Sequence, residues 1–314
     1  MKKIYCIVLV ILILTLQCLN VSAVELNNDS LNNMKHFSID TSNLLKKEEK
    51  LSKEEYKSIL KSVGYSETII NSFSDEDIEL LFENVINIET QVGYFKVNST
   101  GEVYVISEEK CMNEVNSISS NNDGWEANTS DDGYMRMTIS CAYLEPSSQN
   151  NEKGWYMFYT WYEWLIIPKN RLNDALSVAS SSFDWLKSSD WLTKMYYNAT
   201  DANGNSFSFD GPTKTIDDLT VEREGFYYTR ELPLNDGNFN ITYIQIFSQA
   251  KCRIFNYNIY QPVTVHVKYV HAKKALSGNA KYEWANTGKI GVKLDNILVS
   301  KTDYYFYTDF SYNP

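Results

Sequence analysis

Across residues 154–183, apolar side chains fill both alternating sets of positions. Trp155, Met157, Tyr159, Trp161, Leu165 and Ile167 fall on one side of an extended chain, and Tyr156, Phe158, Tyr162, Trp164 and Ile166 on the other. A strand that is apolar on both faces is covered on both faces, so this stretch predicts the central strand of a packed β domain. Pro168 ends its ladder, because proline has no backbone donor. Residues 170–174 read as a polar turn, and 175–183 as a second strand running back.

Elsewhere beyond Ile88 the period is also two. Residues 92–97 and 102–107 predict a hairpin around Asn98-Ser99-Thr100-Gly101. Along 134–143, Met135, Met137, Ile139, Cys141 and Tyr143 point inward. Arg136, Thr138 and Ser140 point outward, as in a half-exposed antiparallel strand. Residues 110–132 are mostly polar, with Asn121-Asn122-Asp123-Gly124 marking a loop. Further strands are expected at 195–199, 206–209, 226–232 and 239–247, where Phe239, Ile241, Tyr243 and Phe247 share a face. Alternating Val263, Val265, Val267 and Tyr269 follow, and the chain closes with strands around Val292 and Phe306. Short strands separated by turn residues predict a mainly β fold, an antiparallel β-sandwich or barrel-like body.

A different period precedes it. Ser52-Lys53-Glu54-Glu55 is a capping box, and Tyr56, Ile59, Leu60 and Val63 follow at helical spacing up to Gly64. Ser66 and Ser74 can cap two more short helices, the second carrying Ile78, Leu81, Phe82 and Val85. The domains expected are therefore a small N-terminal helical cluster at 51–87 and a β-sandwich domain at 88–314, α+β overall. So small a helical unit must dock on something or act as a spacer.

Residues 1–23 read as a signal peptide: Lys2 and Lys3, an apolar run, then Val21-Ser22-Ala23. Gln17 before Cys18 is too bulky for a lipoprotein site. The polar stretch 24–50 reads as a flexible leader. The expectation is a secreted, extracellular protein with no stable membrane anchor after signal cleavage. The net charge of −11 repels phosphate backbones and argues against nucleic acid. Cys111, Cys141 and Cys252 remain beyond the signal, too few and too widely spaced for a disulfide framework or a zinc site. Any one bridge among them is left open.

Trp161-Tyr162-Glu163-Trp164, then Pro168, Arg171 and Asp174 before an alternating strand, form a loose pattern. With the Gly64-Tyr65-Ser66 and Phe73-Ser74-Asp75 punctuation, the chain resembles uncharacterised secreted proteins of low-GC Gram-positive bacteria. The resemblance implies origin and layout, and no activity.

Signals of chemistry are sparse. The chain has three histidines; His36 lies in the leader, and His266 and His271, five apart in one strand, point to opposite faces. There is no HExxH and no GxSxG. A Cys141–His271 pair reads as a core thiol and a strand-end histidine. Glu163 interrupts the apolar strand and is the candidate catalytic carboxylate, with pairing to Arg136, Arg171 or Lys194 as the structural alternative. Asp201, Asn203 and Asn205 begin like a calcium loop, but Gly204 comes too early and Pro212 stands where the closing acid belongs. An ordinary Asx turn is expected, with no metal and no cofactor. The aromatic load is heavy, at 23 Tyr, 14 Phe and 7 Trp. Trp155, Trp161 and Trp164 belong to the core by pattern, while Tyr305 and Tyr307 are the candidate exposed binding residues. The reading favoured is a non-catalytic extracellular β module binding a protein or glycan at the cell surface. The alternatives are a secreted hydrolase using paired carboxylates and a membrane-damaging β-type protein.

Overall fold

A computed structural model describes residues 34–41, 51–82, 85–99, 103–121, 129–144, 155–169, 173–179, 183–185, 192–211, 214–215, 220–222, 225–233, 238–254, 263–272, 280–284, 290–294 and 304–310. The first strands are β1 (Lys35–Asp40), β2 (Val85–Val97), β3 (Val103–Ile106), β4 (Thr129–Ser130), β5 (Gly133–Leu144) and β6 (Trp155–Pro168). They are followed by β7 (Asn173–Ala179), β8 (Phe183–Trp185), β9 (Leu192–Asp201), β10 (Ser206–Asp210), β11 (Lys214–Thr215) and β12 (Thr220–Glu222). The last are β13 (Gly225–Glu231), β14 (Phe239–Ile254), β15 (Val263–Ala272), β16 (Ala280–Trp284), β17 (Ile290–Leu294) and β18 (Tyr304–Phe310). The helices are α1 (Lys53–Ser62), α2 (Glu67–Ser72), α3 (Asp75–Phe82) and α4 (Glu108–Asn121).

The large sheet runs β1-β2-β5-β6-β14-β9-β10, and a second runs β12-β13-β7-β15-β18. Every pairing along these two orders is antiparallel, which is the mainly β architecture the alternation predicts, while the short β4 lies parallel beside β6. They form a sandwich: Val178 of β7 and Tyr228 of β13 lie in one core with Met137, Phe158, Tyr162 and Ile244 of the large sheet. Two polar contacts cross between the layers. Trp164 Nε1 donates to Asp174 Oδ2 at 3.2 Å, and Arg230 donates to the backbone oxygen of Thr193 and, at 3.3 Å, to its hydroxyl.

β6 sits at the middle of the large sheet, as its doubly apolar pattern requires. Tyr156, Phe158, Tyr162 and Trp164 face the second sheet. Tyr159 and Trp161 face the helices. A bulge reverses the order beyond that point. Tyr134 pairs with Ile166 but Met135 with Trp164, so Leu165 is the extra residue. Ile167 therefore joins the sandwich core and Ile166 the opposite side, the reverse of strict alternation. β14 does the same: a register shift between Ile241 and Tyr243 puts Ile241 in the sandwich core and leaves Phe247 under the helices.

The helical cluster forms as expected. Ser52 and Glu55 complete the capping box of α1, and the Ser66 hydroxyl accepts from Ile69 N at α2. Gly64 turns the chain between them with φ 86°, where a Cβ would meet the Phe37 ring at 2.6 Å. The cluster docks on the sheet rather than spacing it. Leu60, Ile69, Ile70, Ile78 and Phe82 pack with Ile88, Tyr159, Trp161 and Phe247. Tyr65 and Phe73 close edge-on against Trp161 at 4.7 and 5.9 Å between ring centres.

Four expectations are corrected. Within the stretch read as leader, Lys35–Asp40 is an edge strand paired along its length with β2. Phe37 and Ile39 pack against the helices, so two apolar residues suffice when an edge is there to receive them. The helical span ends before Val85, where β2 begins. Inside the polar stretch 110–132, most of α4 is found. Cys111, Val115 and Ile118 carry a helical period that polar neighbours dilute. Finally β5 is not half-exposed: Arg136, Thr138 and Ser140 are buried under the helices. β7 is also a strand, but it leaves β6 and enters the second sheet. Residues 1–23 lie outside the described residues, as does most of 24–50. Among the described residues no helix is long and apolar enough to cross a membrane.

Candidate functional site

Glu163 lies under the α1–α2 turn and is 2 % exposed. It is directly opposite Arg136 on β5 and Gln245 on β14, so all three share one face. Arg136 Nη1 binds Glu163 Oε2 at 2.8 Å, and Arg136 Nη2 donates to the carbonyl of Gly64. Ser66 Oγ donates to Glu163 Oε1 at 2.8 Å, and the Tyr243 hydroxyl stands 3.0 Å from the same oxygen. Gln245 Nε2 donates to Ser72 Oγ at 3.3 Å. Burial, and then the negative charge of Glu163, pushes the Tyr243 phenol up. Both carboxylate oxygens are engaged, and the partners tie the sheet to the helices. A general acid needs a proton path to substrate, and this carboxylate is sealed and ion-paired. The arginine alternative is the one found.

The other expected sites resolve unevenly. Asp201 Oδ1 accepts from Asn203 N at 2.8 Å and Asn205 N at 2.9 Å, while Oδ2 accepts from Asn205 Nδ2 at 2.8 Å. These bonds, those of Asn205 foremost, hold the carboxyl below its usual range. It is an Asx turn, with Gly204 at φ 82°. Among the described residues no group of histidines, cysteines and acids could hold a metal. Cys111, Cys141 and Cys252 are free and buried. Burial pushes all three thiols up, that of Cys111 to about 12. Trp161 and Trp164 are core, as expected. Trp155 is half-buried, with Lys251 Nζ and the Arg253 guanidinium 5.2 and 5.7 Å from its ring centre. Tyr305 and Tyr307 sit on β18 opposite Lys268 and His266, and His271 is opposite Asp174. The side chains of these tyrosines and of His266 and His271 lie outside the described residues.

A feature the pattern did not single out stands at the other end of the large sheet. β10 is its last strand, and among the described residues no strand pairs with its outer side. Phe207 and Phe209 share one face of β10. Phe207 is 40 % exposed, one of three large hydrophobic residues exposed among those described. The Phe239 ring closes edge-on against both, at 5.4 and 5.9 Å, and Tyr197 stacks on Phe209 at 5.1 Å. Asp201, paired with Phe239, borders this aromatic corner, whereas Ser206, Ser208 and Asp210 line the opposite face of β10. The signal was present as Ser-Phe-Ser-Phe-Asp behind a glycine turn. In sequence this is one more strand, because exposure depends on strand order, which alternation does not reveal.

No protein-family model and no curated protein matches the chain. Among solved structures, the chain is similar to the collagen-binding domain from a Staphylococcus aureus adhesin. The identity is 10 %, over 50 % of this chain and 89 % of that one, with TM-score 0.24. It is similar to a structure concerned with adhesion by Streptococcus parasanguinis Fap1 fimbriae, at 12 % identity, over 55 % and 79 %, with TM-score 0.22. The collagen-binding domain of Erysipelothrix rhusiopathiae surface protein RspB shows 10 % identity, over 58 % and 67 %, with TM-score 0.20. Scores this low carry no argument about shape or activity.

Proposed function

We propose that the chain is a non-catalytic extracellular binding module that takes a polypeptide partner on the β9–β10–β14 corner. One observation carries this reading: Phe207 is exposed on an edge strand and continuous with a packed aromatic cluster. An open strand edge is a template for another strand, and its backbone groups supply affinity that a glycan would not use. Asp201 at the border of the cluster, on a chain of net charge −11, favours a partner with basic residues. The hydrolase alternative loses its candidate acid, because Glu163 is sealed against Arg136.

The test is binding of residues 24–314 to immobilised purified extracellular-matrix proteins, beside a glycan array. Phe207→Ser, which removes surface apolar area and leaves the core, is expected to weaken binding to a matrix protein at least about tenfold, the size of a modest hot spot. Glycan binding that survives in Phe207→Ser, with no matrix protein bound, would overturn the assignment.

A further inference from the structure

The opposite edge of the large sheet carries two buried acceptors without donors. β1 pairs with β2 so that His36 is opposite Gln91 and Ser38 is opposite Glu89. Glu89 is 8 % exposed, and its Oε2 has no hydrogen-bond partner; nor does Oε1 of Gln91, on the same face. His36 is half exposed and lies between them, its Nε2 3.6 Å from Glu89 Oε2. A neutral imidazole has one N–H to give, whereas an imidazolium has two and a positive charge.

The other groups on that face do not supply the missing charge. From β5, Cys141 is opposite Glu89 and Tyr143 opposite Asn87; burial keeps the Cys141 thiol neutral. From β1 itself, Asp40 is opposite Asn87 and is an acid. Lys35, opposite Val92, pairs with Glu108 on the helical side. Among the described residues, His36 is thus the group facing Glu89 that becomes a cation when protonated.

We propose that His36 is a proton-operated clip that zips the edge strand β1 onto β2. With His36 protonated, both orphan acceptors gain a donor and the buried carboxylate a counter-charge. With His36 neutral and Glu89 ionised, the carboxylate is buried uncompensated, and β1 peels from its Lys35 end. The hinge is Thr41, whose N donates to the Ile86 carbonyl at 3.0 Å and whose hydroxyl donates to the Val85 carbonyl at 2.6 Å. The direction follows from Glu89. Burial raises its carboxyl and the facing His36 draws it back. An acid raised on docking favours the docked state at low pH, and that advantage is lost as pH rises through its raised value. β1 is therefore held more tightly at lower pH and loosened as pH rises, which uncovers the outer edge of β2.

Hydrogen exchange at residues 35–40, corrected for the intrinsic pH dependence of amide exchange, tests the clip on residues 24–314. Protection is expected to fall about tenfold from pH 5.5 to 7.5, a tenfold change in the opening equilibrium being about 1.4 kcal/mol. Glu89→Gln removes the buried charge and is expected to make protection independent of pH, while α1–α3 exchange stays unchanged. His36→Gln, which cannot charge, is expected to leave β1 weakly protected at both pH values. Equal protection at the two pH values in the parent protein overturns the clip. So does a fall that persists in Glu89→Gln.

Discussion

The two faces of β6 are equally dry but are closed by opposite means. On the helical face the charges belong to the sheet itself: Arg136 and Glu163 are cross-strand neighbours, and the helical segment meets them with the Ser66 hydroxyl and the Gly64 carbonyl. On the sandwich face the charged groups come from the covering layer. Asp174 and Arg230 of the second sheet are cross-strand partners, and the large sheet answers with neutral groups, the Trp164 indole and Thr193. The helices therefore cover an ion pair that exists without them, whereas the second sheet carries its ions in. That difference suits a cover of three short helices.

The largest expected break is at Glu163. Glu163→Ala leaves Arg136 buried without its counter-charge and is expected to cost about 3–5 kcal/mol in urea unfolding. The paired replacement Arg136→Met with Glu163→Leu should recover most of that loss, because an apolar pair removes both ions together. A double change as damaging as the single one would mean that the helices depend on the charges themselves.

A smaller effect is expected at Ser66, where one hydroxyl both caps α2 and reaches the sheet. Ser66→Ala should cost about 1–2 kcal/mol, the upper part of the range for a lost cap, and should raise amide exchange in α2 more than in β6. Equal loosening of both would show that cover and sheet unfold as one unit.

The smallest effect concerns α4, whose attachment is charged and partly exposed. A hydrogen bond from Lys35 holds the Glu108 carboxyl below its usual range, and one from Tyr134, helped by Lys96, does the same for Glu114. Acids lowered on docking stabilise it above their ordinary values near ~4.3, and this is lost as pH falls through the lower docked values. Cys111, a fully buried residue of α4, should react several-fold faster with a disulfide reagent active in acid at pH 3 than at pH 5. Cys252, between the sheets, should change less. Acid thus loosens α4 in a pH range below the one in which it closes β1.

Alternation, capping boxes and turn glycines act over a few residues, so they can be read directly. They placed β6 as a buried strand, located α1 to α3 with their caps, and identified the Asp201 turn. Glu163 stood out because a charge inside an apolar strand needs a partner, and Arg136 was among those available. The rest was settled by neighbours distant in sequence. The bulge at Leu165 exchanged Ile166 and Ile167 because β5 and β6 had to keep their ladder. Arg136, Thr138 and Ser140 became interior only when helices from elsewhere in the chain covered them. Phe207 became a surface feature only because β10 ended the sheet, and His36 met Glu89 only because β1 found the opposite edge. Local periodicity specifies which side chains seek burial, whereas strand order and layer coverage decide which side chains stay exposed and which polar groups are left to find a partner.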